Sequence, residues 1–314
     1  MNRRFFLATS IAAAVALTQT SCMGYNLNVF KPPVINGDYI NIYEDTTLSG
    51  DQIGKQYAIH NGATLDLNGY TLDGCIDGDY IARAFRIYDG TIKNGTIKNY
   101  NTGGYAANAL QGDYLAALKG VTKTQAALTA AEYRLISNGG QTVENVTFKS
   151  IVGEGVYIQA YTTAVTVKNC KFYDTGRMHI YIDHGSADHK ITGNYFGSCG
   201  YNHVTGREGI ALDACRNVEI SDNVFKGSMK KRCISIYTNW GELDVERPIA
   251  CFNKIINNRF YDNHTGISIA SRHYRKAAGY KGPDYAEFNH VEGNEFYNIG
   301  LPVEDLGTNN TVIL

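Results

Sequence analysis

Apolar and polar residues alternate with period two in five short segments: 155–159, 179–183, 209–213, 233–237 and 266–270. Alternation of this kind predicts short β-strands with one buried face. A second pattern recurs between them. It is an apolar residue, two residues, a small residue or Asn, one residue, then Phe or an aliphatic residue. It occurs as Leu67-Tyr70-Leu72, Ile92-Gly95-Ile97, Val143-Val146-Phe148 and Val167-Cys170-Phe172. It continues as Ile191-Asn194-Phe196, Ile220-Asn223-Phe225, Ile255-Asn258-Phe260 and Val291-Asn294-Phe296. Successive copies end 24 or 25 residues apart in the regular stretches and 29, 35, 36 and 51 apart elsewhere. A fixed unit with loop insertions produces such spacings. Stacked units, each burying its neighbour, predict an all-β chain with about three strands per turn, a parallel β-helix.

Asn194, Asn223, Asn258 and Asn294 share one repeat position, which predicts a ladder of side-chain amides, with Val146 and Cys170 in the earlier turns. These repeats resemble the right-handed, single-stranded parallel β-helix proteins of the pectate-lyase-like superfamily. That superfamily includes polysaccharide lyases, C5 epimerases and polygalacturonase-type hydrolases. The resemblance covers roughly residues 60–314 and implies a groove over one sheet that holds a polysaccharide. Fold alone does not imply chemistry, because inert β-helices also exist.

Composition narrows the picture. Net charge is −1 and only 19% of residues are charged, so nothing supplies the basic surface that nucleic acid requires. The 33 Gly and 23 Tyr suit turns and strands rather than helices. The N-terminus reads as an export signal over 1–22: Arg3 and Arg4 precede a short apolar run, too short for a membrane span. The run from Asn2 to Leu7 resembles a twin-arginine signal. Cys22 is a candidate lipid anchor, although Gln19 stands where lipoprotein signals usually place Leu. The expectation is an exported protein, periplasmic, extracellular or lipid-anchored at the envelope, with 23–314 as one solenoid domain and no membrane span. The remaining six cysteines permit disulfides, with buried free thiols as the alternative; no CxxC spacing suggests zinc.

Long loops interrupt the repeat. The largest insertion is expected at about 101–141, with a helix over 122–137, serving either as a cap or as a wall beside a groove. Further loops follow Phe196, Tyr237 and Ala270.

Alternation places Val156, Ile180, Ile210, Ile234 and Ile267 inside the coil. It then predicts three outward columns: Gly155, His179, Gly209, Cys233, Gly266; Tyr157, Tyr181, Ala211, Ser235, Ser268; and Gln159, Asp183, Asp213, Tyr237, Ala270. The candidate catalytic residues on this face are His179, Tyr181, Asp183, Asp213, Lys231 and Arg232. The candidate substrate-binding residues are Tyr157, Arg177, His184, Glu208, Tyr237 and Arg272. Tyrosines stack on sugars, basic residues hold a uronate carboxylate, and a His or Tyr exchanges the proton beside it. Residues 181–184 are similar to the Tyr, Asp and His cluster of alginate epimerases. The strands 233–236 and 266–269 resemble those of polygalacturonases, yet Lys231 and Arg232 stand where that family has paired Asp. The leading expectation is therefore a lyase or C5 epimerase acting on a uronate-containing polysaccharide. One alternative is a glycoside hydrolase using Asp183 and Asp213. Another is a non-catalytic glycan-binding or structural surface β-helix. No cofactor is required; Ca²⁺ between the two Asp is the one the cluster suggests, and no metal ligand set is assigned.

Overall fold

The computed structural model describes residues 34–35, 37–106, 140–160, 162–183, 185–201, 208–229, 231–238, 250–269 and 286–314. The export signal with Cys22, the 122–137 helix, His184, Arg272 and the long loops after Tyr237 and Ala270 lie outside these residues. Pro33–Leu314 hold together as one compact unit.

Among the described residues every element is a strand, and nearly every pairing is parallel. Sheet one has ten strands: Tyr39–Ile42, Gln56–Ile59, Arg83–Ile87, Thr102–Ala106, Val156–Ile158, Ile180–Ile182, Ile210–Asp213, Ile234–Tyr237, Thr265–Ile269 and Leu301–Asp305. Thr102–Ala106 thus belongs to the coil rather than to the insertion expected from residue 101. Two more faces close the coil, and the long strands Gly90–Lys98 and Thr142–Ile151 bend across the corner between them. Inside sheet one each strand takes its hydrogen bonds from the turns before and after it, which leaves that sheet's described edges at Tyr39–Ile42 and Leu301–Asp305.

The corner explains the Asn and Gly content. The residue before each ladder position has left-handed backbone, as in Asn94, Asn145, Asn169, Gly193, Asp222, Asn257 and Gly293. Asn and Gly tolerate this conformation best. Then the ladder begins. Asn194 Nδ2 donates to Asn223 Oδ1 at 3.0 Å, Asn223 to Asn258 at 2.9 Å and Asn258 to Asn294 at 3.0 Å. Each Oδ1 also accepts the previous rung's backbone N–H, including that of Cys170. The expected ladder is present, and it satisfies polar groups that burial would otherwise orphan.

A second ladder was not anticipated. Asn253, Asn289 and Asn310 bond in series at another corner, and Val218 N–H donates to Asn253. Its signal was readable: each of these Asn stands two residues before an aliphatic strand residue, Ile255, Val291 or Val312.

Inside the coil, Phe148, Phe172, Phe196, Phe225, Phe260 and Phe296 stack with ring centroids 4.7–5.1 Å apart. That spacing is one strand separation, so identical residues at one repeat position meet face to face. The six described cysteines are free thiols; Cys170, Cys199, Cys215 and Cys233 are buried.

Candidate functional site

The outer face of sheet one is set by register. Arg86, Tyr105, Tyr157, Tyr181, Ala211, Ser235, Ser268 and Glu304 pair strand by strand in one column. Asp213 and Tyr237 pair in the next, and Asp183 stands two residues beyond Tyr181. Alternation points these side chains away from the core that holds the isoleucines, although Ala211, Asp213, Ser235, Tyr237 and Ser268 are themselves buried.

Four of the expected residues come together. Tyr157 hydroxyl donates to Asp183 Oδ2 at 2.5 Å. Tyr181 hydroxyl lies 3.3 Å from both Asp183 Oδ1 and Asp213 Oδ2. It therefore stands between two carboxylates on adjacent rungs. The Tyr157 and Tyr181 rings are 5.2 Å apart. Burial, reinforced by the neighbouring carboxylates, pushes both phenols far above the usual tyrosine range. Both hydroxyls hold their protons at neutral pH and act as donors. Tyr237 also joins the cluster. It is buried against Met178 and Ala211, with Tyr181 packed beside them.

His179 does not belong to this face. Its side chain is wholly buried, between Phe172 and Phe196, with ring centroids 5.7 and 5.6 Å away. Nδ1 meets Thr175 Oγ1 at 2.9 Å, and Nε2 donates to the Gly197 carbonyl at 2.9 Å. Burial depresses its pKa to about 4, so the ring is neutral. The whole first column turns inward with it. A Cβ added to Gly155 would lie 2.8 Å from the Phe172 ring, and one added to Gly266 would lie 2.7 Å from the Phe296 ring. Cys233 is in the core. Gly155, His179, Gly209 and Cys233 precede their strands, in the corner, where the chain bends and strict alternation no longer applies, and Gly266 is the second residue of its strand. Gly155 and Gly266 therefore admit Phe rings, and Gly209 admits the Met229 sulfur, rather than opening space above the sheet.

The basic residues are already engaged. Arg177 pairs with Glu154 at 2.7 Å, Lys231 with Glu208 at 3.3 Å and Arg232 with Glu304 at 3.3 Å. Glu304 also accepts from Ser268 at 2.7 Å. Glu208 is fully buried, and the Lys231 contact lacks hydrogen-bond geometry, so neither carboxylate oxygen has a hydrogen-bond partner. Glu208 is thus an internal counter-charge at the sheet's entry corner rather than a surface group that reaches a sugar.

Among the described residues no group of three or more His, Cys, Asp or Glu converges as a metal site would require. Asp183 and Asp213 are instead held by tyrosine hydroxyls, and Ca²⁺ would need six or more oxygens in place of those contacts. No helix among the described residues is long and apolar enough to cross a membrane.

A family model described as "Right handed beta helix region" matches residues 134–273. The fold is a right-handed parallel β-helix. Three solved structures are similar to it. One is an alginate lyase from Paenibacillus sp. str. FPU-7, 10% identical, with 82% of this chain and 98% of that one covered and a TM-score of 0.38. The others are mannuronan C-5 epimerase A-modules from Azotobacter vinelandii. The first, of AlgE4, is 10% identical, covers 90% of this chain and 81% of that one, and has a TM-score of 0.38. The second, of AlgE6, is 9% identical, covers 88% and 79%, and has a TM-score of 0.40. No curated protein matches the chain in sequence. The β-helix expected from the repeats is present in the parallel pairing of the strands and agrees with the matched family model.

Proposed function

We propose that this β-helix is an exported carbohydrate-active enzyme that acts on a uronate-containing polysaccharide lying across the outer face of sheet one. The observation that carries the reading is Tyr181 hydroxyl standing 3.3 Å from each of two carboxylates. A proton donor flanked by two acceptors is what proton transfer at a sugar ring requires. In the lyase form, Asp183 or Asp213 takes the proton from the carbon beside the uronate carboxylate. The electron pair left behind is delocalised into that carboxylate, then expels the glycosidic oxygen from the next carbon. Tyr181 gives its proton to the departing oxygen, and a double bond remains in the new sugar end. In an epimerase the same anion is reprotonated from the opposite face. Neither route uses His179, whose ring is enclosed in the core.

One geometric fact favours a second reading. Because Tyr181 is 3.3 Å from both carboxylates, the two bound oxygens are no further apart than twice that distance. Paired carboxylates about 5–5.5 Å apart suit retaining glycoside hydrolysis. Incubation with a panel of acidic and neutral polysaccharides separates these cases. A lyase generates ultraviolet-absorbing unsaturated ends. An epimerase changes the uronate composition without new ends, and a hydrolase yields reducing ends without the chromophore. Absence of every product across the panel overturns the enzymatic reading in favour of a glycan-binding or structural role.

A further inference from the structure

Arg177, Lys231 and Arg232 are committed to glutamates. Two others on the same sheet are not. Arg83 and Arg86 begin and nearly complete the strand Arg83–Ile87, two turns before Tyr157. Neither has an ion-pair partner among the described residues. Both are held instead by aromatic rings. The Arg83 guanidinium lies 4.3 Å over the Tyr105 ring. The Arg86 guanidinium lies 5.8 Å from Tyr105 and 5.6 Å from Tyr88, and its Nη1 donates to the Tyr88 hydroxyl at 3.1 Å. Tyr105 faces outward, because it pairs in register with Arg86 before it and Tyr157 after it.

Three features suit an anion here. The Nε of each arginine is buried with no hydrogen-bond partner. Buried donors without acceptors are rare, and an incoming acceptor relieves them. Next, the Tyr39 phenol beside the two guanidiniums supplies no counter-charge, because burial raises its pKa and keeps it protonated. Finally, the patch continues as a stacked row, Tyr43 on His60 and His60 on Tyr88, each 4.8 Å apart. Aromatic rings with planar forks between them match a chain of sugar rings bearing carboxylates.

We infer that Arg83, Arg86 and Tyr105 form a carboxylate-binding subsite for an acidic glycan, separate from the cluster around Tyr181. The substrate assignment rests on the reading given under Proposed function; the anion site itself does not. Arg86 and Tyr181 are three strands apart, about 14 Å at the usual strand spacing. A glycan lying along the coil axis would place one carboxylate on the guanidiniums while another sugar ring reaches the carboxylate pair. Charge recognition and chemistry would then be divided between two ends of one sheet.

The test is direct binding to the full chain, measured by calorimetry with alginate and polygalacturonate oligomers and with the same oligomers after carboxyl reduction. The wild-type chain is expected to bind at least one acid oligomer, more weakly as salt is raised, and to bind the reduced forms about tenfold less tightly or worse. R83Q and R86Q should each weaken acid-oligomer binding about tenfold, and the double variant should bind acid and reduced oligomers alike. R86K, which keeps the charge but not the fork, should fall between. Circular dichroism melts of all variants confirm folding. Wild-type affinity in R83Q/R86Q, or no binding of either acid oligomer by the wild-type chain, overturns the subsite. The double variant D183N/D213N separates the two claims. It should bind like wild type while losing turnover. Intact turnover in D183N/D213N removes the reaction reading and leaves the anion site standing.

Discussion

Two columns run the length of this coil and obey opposite rules. Inside, six phenylalanines and an asparagine ladder repeat one residue type turn after turn. Outside, sheet one runs through five residue types: Arg86, Tyr105, Tyr157, Tyr181, Ala211, Ser235, Ser268, Glu304. Both columns have the same spacing. The interior gains from likeness, because equal shapes stack and equal amides bond in series. The exterior meets like with like only in part, at Tyr105, Tyr157 and Tyr181, and its variation beyond them places a donor between two carboxylates. Stability here is periodic, and the candidate chemistry is not.

This contrast can be broken by mutation. The largest expected effect is on turnover: Asp213→Asn should lower it about 10²–10⁴-fold with an unchanged melt. Steady-state assays beside thermal unfolding check it, and a loss of stability instead would make Asp213 a structural residue. Next, Phe196→Ala interrupts the ring stack and should cost about 3–5 kcal/mol in chemical denaturation. Turnover per folded molecule should be retained.

A third test concerns acid. His179 is held to about 4 and His189 to about 3, both by complete burial. In the unfolded chain each takes up a proton near its ordinary value, whereas the folded chain cannot. Stability is therefore full above about pH 6.5 and falls as the pH drops toward 4, by about 3 kcal/mol from His179 alone. Urea unfolding at pH 7 and pH 5 measures the slope, and His179→Gln should flatten it. An unchanged slope in that variant would return His179 to a solvated position.

Asn223→Ala should cost about 1–3 kcal/mol, since Asn194 loses the acceptor for both its backbone and side-chain N–H groups. Equal stability would show that the ladder is not coupled rung to rung. The smallest effect belongs to Tyr157→Phe. It frees Asp183 from one hydroxyl but leaves Tyr181 in place, so turnover should fall about tenfold or less.

Much of this molecule was legible in one chain. The strands, their inward isoleucines and the Asn194–Asn294 ladder follow from short-range pattern, because each turn meets only its neighbours. Tyr157, Tyr181, Asp183 and Asp213 were placed on one side of sheet one by the same alternation, which is reliable within an extended strand. His179 was misplaced because it sits one residue earlier, in a corner, where the backbone bends and the side chain turns onto Phe172 and Phe196. The second ladder carried the same Asn-to-aliphatic spacing as the first strand pattern, yet its earlier turns hold His189 and Val218, which hide the repeat.

What the sequence by itself determined is the coil and which strand residues face outward, since a repeating unit must bury the same face every turn. Only the tertiary structure decided which charges are already paired. Arg232 and Glu304 are 72 residues apart in sequence and 3.3 Å apart in space. Arg83 and Arg86 remain without such a partner among the described residues, and rings hold them in place of carboxylates. Long side chains reach across turns whose sequence separation varies with loop length, so no fixed spacing encodes who meets whom. That choice separates the paired basic end of sheet one from its open arginine end.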